Sequence, residues 1–474
     1  MNLVIKTVTG GIFVLVVLSS VIFLADGTNG YSMDTGIKSY TDRDPIVING
    51  DSDLTSANGV IGGSGTYGNP YIIAGWSINA TGYHRGIYLG NISKYVIVHD
   101  NIVWGATYQS LPYFPGGGIS IYKSQHITIA NNEVYKNTHG AVVRSSNSVE
   151  LKNNLLRNNS KNGAWITFTS ASKAYNNTCY GNGDSGINGY TLTDSTLETN
   201  NCTNNEYGIS LWGDSRNNAI AGNNMSLNSQ NGVYLIGPSG SKMEEIRVYS
   251  NKIYNNSQYG IRTTNLANAT MWNNTIWLNQ KHGIYMDTSS SNNTIYSNMI
   301  HHNLQAGIYM YSYSSSYPSD SNQIHHNNIS FNGGSGIVME RYTRYNSIFN
   351  NMLYNNTAYG ISISGSANYN KIDHNAFYFN HGSGDSRNES AVQASDSGGN
   401  NEWSTSTEGN YWYDWRGPDG NGDGIVDSPY QVDGSANSVD DHPISDQPVV
   451  PELGTAIVLV SALLVFVGFY IKKR

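Results

Sequence analysis

Charged residues are scarce in this chain. Asp, Glu, Lys and Arg make up 13% of its 474 residues, about half the ~25% of an ordinary soluble domain. The net charge is −8, so the chain lacks the basic footprint that nucleic-acid binding requires, and we expect no nucleic-acid partner. Because apolar residues recur at regular positions, the low charge does not indicate a disordered polymer.

Cysteine is nearly absent. The two cysteines, Cys179 and Cys202, are separated by one period of the repeat described below. If adjacent repeats form stacked strands, equivalent residues lie about 4.7–4.9 Å apart, which is within the Cα range of a disulfide. We therefore predict a disulfide between neighbouring repeats in an oxidising compartment, and two stacked free thiols are the alternative.

Glycine followed by a small or apolar residue recurs with a period of roughly 23 residues, which indicates stacked repeats. A repeat solenoid can be long without a large spherical core, because each repeat packs only on its neighbours. The anchor glycines are Gly118, Gly140, Gly163, Gly186, Gly208, Gly232, Gly260, Gly283, Gly307, Gly336 and Gly360.

Each anchor glycine opens a segment in which apolar and polar residues alternate. The first residue after the glycine is apolar, as in Ile119 and Ile261, and the third is usually apolar too, as in Ile121. This period of two predicts a strand with one buried face. A leucine-rich repeat has a similar period, but the chain shows neither its leucine signature nor a helical half in each repeat.

Asparagine pairs mark a corner in most repeats, and Asn131–Asn132 and Asn273–Asn274 are examples. Asparagine tolerates left-handed backbone, satisfies main-chain groups at bends and forms ladders when it is stacked. We expect glycine to supply backbone freedom at the other corner. Strands between asparagine corners and glycine corners predict an all-β protein, a parallel β-helix solenoid of about 12 rungs.

The repeat resembles that of right-handed parallel β-helix proteins over about residues 84–380, and within that group it looks most like the NosD-like set. That set is named for an accessory protein of nitrous oxide reductase maturation. The segment Gly409–Trp412, with Asp414 and Asp433–Gly434, adds to the resemblance. The resemblance implies a right-handed solenoid and makes an extracytoplasmic metal-maturation role a second alternative function. The fold itself hosts many unrelated functions.

Hydrophobic segments lie at both ends of the chain. Residues 1–25 are typical of a signal peptide or an N-terminal anchor. Residues 448–474 are typical of a transmembrane anchor, since an apolar run ends in Lys472–Arg474. This tail also resembles archaeal sorting tails through Pro451–Leu453, which implies cleavage and transfer to a lipid anchor. We expect a cell-surface protein anchored at its C-terminus outside the membrane, with sequons such as Asn79 open to glycosylation.

The extent of the regular repeat predicts how the rest of the chain is divided into parts. We predict an N-terminal cap with the first rungs over 26–85, the parallel β-helix over 86–400 and an acidic C-terminal segment over 401–447. Oversized repeats at 90–117, 236–246 and 311–323 predict inserted loops. In solenoids such insertions often collect on the binding face, although tolerated surface length explains them equally well.

Aromatic residues recur at the outward positions of the first strand. Rings held outward at the rung spacing, which is close to the length of a sugar unit, can stack along a glycan. We predict binding or adhesion with a polysaccharide or glycan partner; the alternative is that tyrosine simply suits an exposed β-surface. The predicted ligand-binding residues are Tyr122, Trp165, Tyr190, Trp212, Tyr234, Tyr285, Tyr309 and Tyr311.

Two carboxylates raise the possibility of catalysis. Asp287 and Glu340 occupy the same outward position two rungs apart, about 9–10 Å at the backbone, near the spacing of inverting glycosidases. With Arg262 one rung before Asp287, they are the candidate catalytic residues of a polysaccharide hydrolase or lyase. The repeats lack the clustered Asp-Asp and Gly-His-Gly patterns of polygalacturonase-like enzymes, so we favour a binding protein over an enzyme.

A calcium loop is predicted in the acidic segment. Oxygen ligands at loop positions 1, 3 and 5, a backbone carbonyl at 7 and an acid at 9 suit a hard cation. Position 12 is Tyr430, so the usual bidentate glutamate is missing, and an Asp/Gly-rich turn is the alternative. The predicted calcium ligands are Asp419, Asn421, Asp423, Ile425 and Asp427.

Histidine pairs occur in neighbouring repeats, at His301–His302 and His325–His326. Aligned on the preceding isoleucines, His326 and His374 share a corner two rungs apart, which is too far to share one metal ion. Histidine in an asparagine ladder is more often a hydrogen-bonding corner residue. We therefore predict no shared metal site at these histidines.

Overall fold

Successive turns of the chain lie over one another as a parallel β-solenoid. The structure, a computed structural model, describes residues 39–107 and 116–446, and those from Tyr40 onward belong to one unit. Three stacks of short parallel strands run along it, so the predicted solenoid of about 12 rungs is confirmed. Helix within these residues is limited to single turns at Asp51–Asp53, Ser56–Asn58 and Asn380–Gly382.

The first stack contains the strands that the anchor glycines introduce. Neighbouring strands pair in register, so that Tyr234 lies beside Arg262 and Arg262 beside Tyr285. Equivalent positions of the repeat therefore form columns along the solenoid. The strands of the first stack are Ile46–Asn49, Arg85–Gly90, Gly117–Tyr122, His139–Arg144, Ala164–Ser170, Ser185–Thr193, Tyr207–Trp212, Val233–Ile236, Ile261–Thr264, Ile284–Met286, Ile308–Ser312, Ile337–Arg341, Ile361–Ser364 and Ala394–Asp396.

The second stack follows a bend and joins the first in one sheet. Its strands are Tyr71–Ala74, Val96–His99, Gln125–Ala130, Asn147–Lys152, Lys173–Tyr175, Thr196–Glu198, Ala219–Ala221, Arg247–Tyr249, Thr270–Trp272, Thr294–Tyr296, Gln323–His325, Ser347–Phe349 and Lys371–Asp373. Their alternating burial leaves every second side chain on the outer surface.

The third stack forms a separate sheet of 15 strands. Its strands are Thr41–Arg43, Trp76–Asn79, Ile102–Trp104, Glu133–Tyr135, Leu155–Arg157, Thr178–Tyr180, Asn201–Thr203, Asn224–Ser226, Lys252–Tyr254, Thr275–Trp277, Met299–His301, Asn328–Ser330, Met352–Tyr354, Ala376–Tyr378 and Tyr411–Trp412. Two small pairs lie outside the stacks, Met243–Glu244 beside Leu266–Ala267 and Tyr430–Gln431 beside Val439–Asp440.

The core is a set of continuous aliphatic columns inside the solenoid. Ile261, Ile284 and Ile308 follow their anchor glycines in successive rungs, and all are fully buried. Full burial of one such side chain contributes about 1.5–3 kcal/mol. Because each column contains one such residue per rung, every rung is stabilised by the rungs before and after it.

The anchor glycines are required for space, which corrects the expectation that they supply backbone freedom. Gly260 and Gly283 have no left-handed φ angle. A Cβ atom added at Gly260 would lie 2.5 Å from the carbonyl oxygen of Gly283 and 2.5 Å from a methyl group of Ile276. Such contacts are far inside van der Waals distance, so the close approach of backbone to core at this corner excludes any side chain.

In asparagine pairs such as Asn273–Asn274, the two members have different tasks. Asn273 takes the left-handed conformation with φ 53°, and its side chain lies on the surface. Asn274, the next residue, is 1% exposed and turns its amide into the wall. The same division holds at Asn350 and Asn351. The first asparagine makes the bend because it tolerates this φ region, and the second satisfies buried backbone groups.

The buried asparagines form ladders in which every bond from one side-chain amide to the next runs in the same direction. The amide nitrogen of Asn274 donates to the carbonyl of Val248 at 2.9 Å and to Oδ1 of Asn298, in the next rung, at 2.9 Å. The Oδ1 of Asn274 accepts from both the backbone N–H and the side chain of Asn251, in the preceding rung. In the bonds between asparagine side chains, the donor thus always points toward the C-terminal end of the solenoid.

The ladders end on buried carboxylates. Asn410 donates its backbone N–H to Asp440 Oδ2 at 2.7 Å, and Asn401 donates its amide to Asp396 Oδ1 at 3.0 Å. Gln393, which ends a third ladder, donates to Asp414 at 2.6 Å. These carboxyl groups are at most 5% exposed, and burial raises the pKa of Asp440 to about 6. Residues 401–446 therefore close the C-terminal end of the stacks.

Cys179 and Cys202 lie directly beside each other in the third stack. Both side chains are completely buried, and the structure holds them as thiols. The hydrogen bond of Cys202 with Cys179, together with burial, raises the pKa of the Cys202 thiol well above its usual value. The register required for the predicted disulfide is thus present, and the disulfide itself stays a prediction.

The two predicted membrane-type segments, residues 1–25 and 448–474, lie outside the described residues. Between 39 and 446, leaving out 108–115, no helix is long and apolar enough to cross a membrane.

Replacing Asn274 with alanine is expected to lower the free energy of unfolding by about 3 kcal/mol or more, because buried groups of Asn251 and Val248 lose their partners at about 1–3 kcal/mol each. Urea unfolding followed by circular dichroism measures the change. The matched control is Asn273→Gly, which keeps the left-handed bend and is expected to change stability by less than about 0.5 kcal/mol. Equal losses in the two variants would contradict the ladder role.

Thiol titration tests the disulfide prediction. If Cys179 and Cys202 are bridged, the chain denatured without reductant contains no reactive thiol. The chain denatured after reduction then contains two. The native protein is expected to be unreactive in either state, because both side chains are buried. Two thiols in the unreduced, denatured chain would refute the bridge.

Candidate functional site

The predicted aromatic residues lie in two outward columns of the first stack. One column runs Tyr234, Arg262, Tyr285, Tyr309 over four successive rungs. In the other, Tyr190 pairs with Trp212, one rung apart. The structure therefore brings together the predicted residues from Tyr190 onward.

Two predicted ligand residues stand apart from this stretch. Tyr122 pairs with Arg144 rather than with another ring. Trp165 pairs with Val142 and Asn188, and its indole stacks on His139 at a centroid distance of 5.1 Å. Tyr122 and Trp165 therefore lie outside the run of paired residues that begins at Tyr190.

The centre of the aromatic stretch is a group that we call the tyrosine–arginine cluster, made of Tyr234, Tyr259, Arg262, Tyr285 and Asp287. The guanidinium carbon of Arg262 lies 5.3, 5.8 and 5.6 Å from the three ring centroids. Its Nη2 bonds Asp287 Oδ2 at 3.0 Å. Cation–π contact and the ion pair together fix the guanidinium in one orientation.

Protonation in the tyrosine–arginine cluster follows from its burial. Burial raises the pKa of Tyr234 and of Tyr285, so both phenols stay neutral at pH 7 and can donate hydrogen bonds. Burial lowers the pKa of Arg262, but the neighbouring Tyr234 and Asp287 more than offset this, so that its pKa rises. The cluster therefore presents a permanent cation, a carboxylate and neutral hydroxyl groups to the surface.

His282 extends the cluster by one ring. It stacks on Tyr309 at 4.4 Å and on Tyr259 at 5.6 Å. Burial lowers its pKa to about 4, and its Nδ1 accepts the backbone N–H of Ala306 at 3.1 Å. A neutral imidazole that accepts at Nδ1 carries its proton on Nε2, so His282 offers a donor.

A groove of about 380 Å³ opens beside the cluster, and we call it the loop groove. Two of the three predicted insertions, 236–246 and 311–323, form its walls, and the first stack forms its floor. Its lining residues are Ser239, Gly240, Ser241, Lys242, Thr264, Asn265, Asp287, Thr288, Ser289, Tyr313 and Tyr317. Asp287 belongs to both the groove and the cluster, so the two form one continuous surface.

The second wall of the loop groove is tied to its floor. The carbonyl of Tyr317 accepts the backbone N–H of Ser289 at 3.0 Å and the hydroxyl of Ser312 at 2.7 Å. The Tyr313 and Tyr317 side chains are 58% and 49% exposed. The insertion thus has an anchored backbone and presents two aromatic side chains to solvent.

The candidate catalytic residues are already engaged by neighbours. Asp287 pairs with Arg262 and also accepts the backbone N–H of Thr288 at 2.9 Å. Glu340 accepts the hydroxyl of Tyr309. The two carboxylates therefore bond different partners.

The predicted calcium loop folds onto its own backbone. Asp419 accepts the N–H groups of Gly422 and Gly424, at 2.8 and 3.0 Å. Asp423 accepts from Asn421 and Ile425, and Asp427 accepts from Gly420. In residues 39–107 and 116–446, no three His, Cys, Asp or Glu groups converge as a metal site.

Sequence reasoning missed aromatic columns on the other two stacks. In the second stack, Tyr249, Trp272 and Tyr296 stack at 4.3 and 6.0 Å with ring planes within 12° of parallel. In the third stack, Tyr254 and Trp277 stack at 4.2 Å. Rings in these columns cover each other's faces. The signal was present in the sequence as aromatic residues preceding the asparagine corners.

The family comparisons match two consecutive parts of the chain. The model of the right-handed beta helix region matches residues 117–245 and 213–318, and that of NosD, described as a periplasmic copper-binding protein, matches residues 315–417. No curated protein matches the sequence.

Solved structures give three examples of similar folds. A double mutant of the periplasmic alginate epimerase AlgG has 16% identity and a TM-score of 0.48, over 59% of this chain and 76% of that one. The AlgE4 A-module, a mannuronan C-5 epimerase of Azotobacter vinelandii, has 16% identity and a TM-score of 0.40, over 65% and 87%. PfbA, a surface adhesin of Streptococcus pneumoniae, has 10% identity and a TM-score of 0.41, over 62% and 84%.

The parallel stacks and the two family matches cover the same repeats, from the first anchor glycine to the start of the acidic segment. The chain has a right-handed parallel β-helix fold, and its residues 315–417 are similar to the NosD family.

Proposed function

We propose that this protein is an extracytoplasmic, cell-surface binding or adhesion protein that recognises carbohydrate at the tyrosine–arginine cluster and the loop groove. The observation that carries the proposal is their continuity: aromatic rings, a fixed ion pair and an open polar groove form one surface around Asp287. Sugar sites typically combine apolar ring contacts with a few fixed polar groups.

The chemistry of this surface suits a hydroxyl-rich ligand. Ser239, Ser241 and Thr264 place side-chain hydroxyls in the groove, and Tyr313 and Tyr317 add exposed ring surface. The Arg262–Asp287 pair offers both a donor and an acceptor in fixed positions, which vicinal sugar hydroxyls can bridge. This arrangement supports a glycan contact at one site rather than along all of the predicted aromatic residues.

Catalysis on a polysaccharide is the alternative. Asp287 and Glu340, with Arg262, remain its candidate residues, and Asp287 lines the loop groove. Against it, Asp287 is held by Arg262 and by the backbone N–H of Thr288, whereas a general acid must come within hydrogen-bond reach of the leaving group. The carboxylates also lack a shared partner, so we favour binding without cleavage.

A NosD-like metal-maturation role is a second alternative. It is favoured by the match of the NosD model to residues 315–417, which contain His325, His326 and His374. His374 is held between Asp373 at 2.6 Å and Glu408 at 2.7 Å. Its two ring nitrogens are therefore already occupied, so His374 is poorly suited to receive a metal ion.

A location outside the cytoplasm is part of the proposal. The NosD model describes a periplasmic protein, which is consistent with a signal peptide or anchor at 1–25 and an anchor or sorting tail at 448–474. In that location sequons such as Asn79, which lies exposed at the end of a third-stack strand, are open to glycosylation.

We also propose calcium binding by the loop from Asp419 to Asp427. Its carboxylates, now bonded to loop N–H groups, lie within a nine-residue segment and can reorient toward a cation without moving the solenoid. Extracellular modules bind calcium with dissociation constants of about 10⁻⁴–10⁻³ M, which fits a loop without a bidentate glutamate. The ion would fix this segment against the end of the stacks.

The glycan proposal predicts that Tyr285→Ala and Tyr313→Ala each weaken binding about tenfold, equivalent to about 1.4 kcal/mol. A glycan array with the full chain first identifies the ligand, and calorimetry then measures its affinity. Tyr180→Ala is the matched control, since Tyr180 is an exposed ring of the third stack, 45% exposed. The site would be contradicted if no glycan on the array bound the protein, or if Tyr180→Ala weakened binding as much as the two test variants.

The same array separates binding from catalysis. Each retained polysaccharide is incubated with the protein, and its chain length is measured. The binding proposal expects no shortening. Cleavage that disappears in Asp287→Asn and Glu340→Gln while binding persists would establish the enzyme instead.

The calcium proposal predicts that chelation lowers the melting temperature of the C-terminal segment by a few degrees and that added calcium restores it. Asp423→Asn is expected to remove the response, whereas Asp385→Asn, at an acid outside the loop, is expected to keep it. An unchanged melting curve with chelator and with millimolar calcium would exclude the site.

A further inference from the structure

The corner that follows each third-stack strand has one residue in the left-handed region. Asparagine suits this conformation. It occupies the corner at Asn158, Asn204, Asn255 and Asn355. Leu278 and Phe331 occupy the same corner in other rungs, with φ 55° and 54°. Leucine and phenylalanine rarely adopt this conformation, so backbone preference does not account for their presence.

Apolar side chains at and beside this corner are also open to solvent. Leu278 is 44% exposed, and Leu304, just beyond the corner of the next rung, is 62% exposed. A corner that faces solvent and needs a left-handed backbone is served better by asparagine on both counts. Large apolar residues in such places indicate a surface that a partner covers.

The rungs around these residues form a surface without charge, which we call the third-stack face. It comprises the outward and corner residues of the five third-stack strands from Thr275–Trp277 to Ala376–Tyr378. None of these residues is Asp, Glu, Lys or Arg. Burial lowers the pKa of His301 to about 4 and also lowers the pKa of His302, so both imidazoles are neutral at pH 7. Earlier rungs of the same stack do have charged residues, at Glu133, Lys136, Arg157 and Lys252.

Ring contacts extend the third-stack face to the point where the described chain ends. Phe331 contacts Tyr354 at a centroid distance of 5.2 Å, and Phe379 contacts Tyr413 at 4.6 Å. Ile444 packs on the same group of buried residues as Phe379 and Tyr413. The described chain ends at residue 446, so the polypeptide leaves the solenoid at the C-terminal end of this face.

We propose that the third-stack face docks on the surface of a lipid bilayer, so that the solenoid lies against the membrane that holds its anchor. The proposal rests on the predicted anchor at 448–474 and is independent of glycan binding. The apolar run of that anchor begins at Leu453, nine residues after Ile444. Nine residues reach about 30 Å at most, and the face extends about 20 Å along the solenoid. The bilayer is therefore within reach of the whole face.

The area of the third-stack face favours a membrane over a second copy of the chain. Five rungs at about 4.8 Å, each about four residues wide, cover roughly 300 Å². A stable dimer buries about 800 Å² on each partner. A chain that is already anchored needs less contact, because the anchor keeps the face close to the bilayer and the contact has only to orient the solenoid.

The side chains of the face suit the interfacial region of a bilayer. Tryptophan and tyrosine concentrate at this depth because they combine an apolar ring with a polar group. Trp277 and Tyr354 supply such rings, and Leu278 and Phe331 supply purely apolar surface. Because the face has no charged side chain, docking does not require a charge to leave water.

Docking through the third stack leaves the loop groove open. The insertions at 236–246 and 311–323, which wall the groove, connect strands of the first stack to strands of the second. They therefore lie at the corner that the third stack does not adjoin. In the docked orientation the groove is directed away from the bilayer.

Fluorescence quenching in vesicles tests the docking. The full-length chain is labelled with bimane at Leu304→Cys, and Tyr345→Cys is the control position. Tyr345 is 57% exposed with φ 56°, at the corner between the first and second stacks. Cys179 and Cys202 are buried and should not take the label. The labelled chains are reconstituted into phosphatidylcholine vesicles, and flotation reports whether the anchor is inserted.

On reconstitution, the label at position 304 is expected to lose most of its quenching by aqueous iodide and to be quenched by a nitroxide lipid. The label at position 345 should remain open to iodide. If the chains float but the 304 label stays open to iodide, the docking is refuted and the anchor stands. Chains that do not float would refute the anchor and the docking together. Protection that appears without vesicles and grows with protein concentration would assign the face to a second copy instead.

Asparagine substitution separates docking from a structural role. Leu278→Asn combined with Phe331→Asn places the usual corner residue in the rungs before and after that of Leu304. This double variant is expected to restore iodide quenching of the 304 label without lowering the urea midpoint of the detergent-solubilised chain. Tyr369→Asn is the matched control, since Tyr369 is 46% exposed with φ 57° at the other corner, and it should leave the label protected. A double variant that stays protected, or one that loses protection only because it unfolds in less urea, would overturn the proposal.

Discussion

The directional hydrogen bond between stacked asparagine amides is the interaction on which the rest of the solenoid depends. Each ladder asparagine, such as Asn274, satisfies buried groups of the preceding rung and is satisfied by the next. A rung that slipped by one residue would leave several buried polar groups without partners, each at a cost of about 1–3 kcal/mol. The ladders therefore fix the register, and the register aligns equivalent side chains into columns.

Function is confined to the positions that this constraint leaves open. Inward positions are filled by aliphatic columns, and the corner at each anchor glycine has no room for a side chain. Three features remain variable: the outward strand positions, the left-handed corner residues and the length of the insertions. Of the proposed sites, the tyrosine–arginine cluster uses the first, and the loop groove uses the third. In a solenoid, distinct sites can thus be carried by one core.

The fold could be predicted because its determinants are repeated in every rung. A single glycine or asparagine pair is a weak signal, but the columns through Ile261 and Asn274 repeat at a constant spacing. The physical reason for the glycines could not be read from the sequence, since Gly260 is required by the approach of Gly283 from the next rung. Spacing alone predicts which residues share a column and not how the backbone of one rung meets the next.

The site was only partly predictable for the same reason. The column of Tyr234, Arg262 and Tyr285 followed from register. The groove did not, because its walls depend on how two insertions of different length fold toward each other, and insertions have no periodicity. The ring contacts of Trp272 and the partner of Glu340 depend on side-chain torsions, which are set by neighbours in three dimensions. The spacing of Asp287 and Glu340 was consistent with a catalytic pair, but their hydrogen bonds go elsewhere.

The polarity of the ladders also explains three buried aspartates at the C-terminal end of the solenoid. Since every amide donates toward the C-terminal rung, the last rung presents N–H donors that need strong acceptors. Asp396, Asp414 and Asp440 occupy these positions, each buried and each accepting from the last amide of a ladder. A carboxylate accepts without donating, so it suits this end better than another amide would. These three buried aspartates are therefore a consequence of the direction in which the asparagines point.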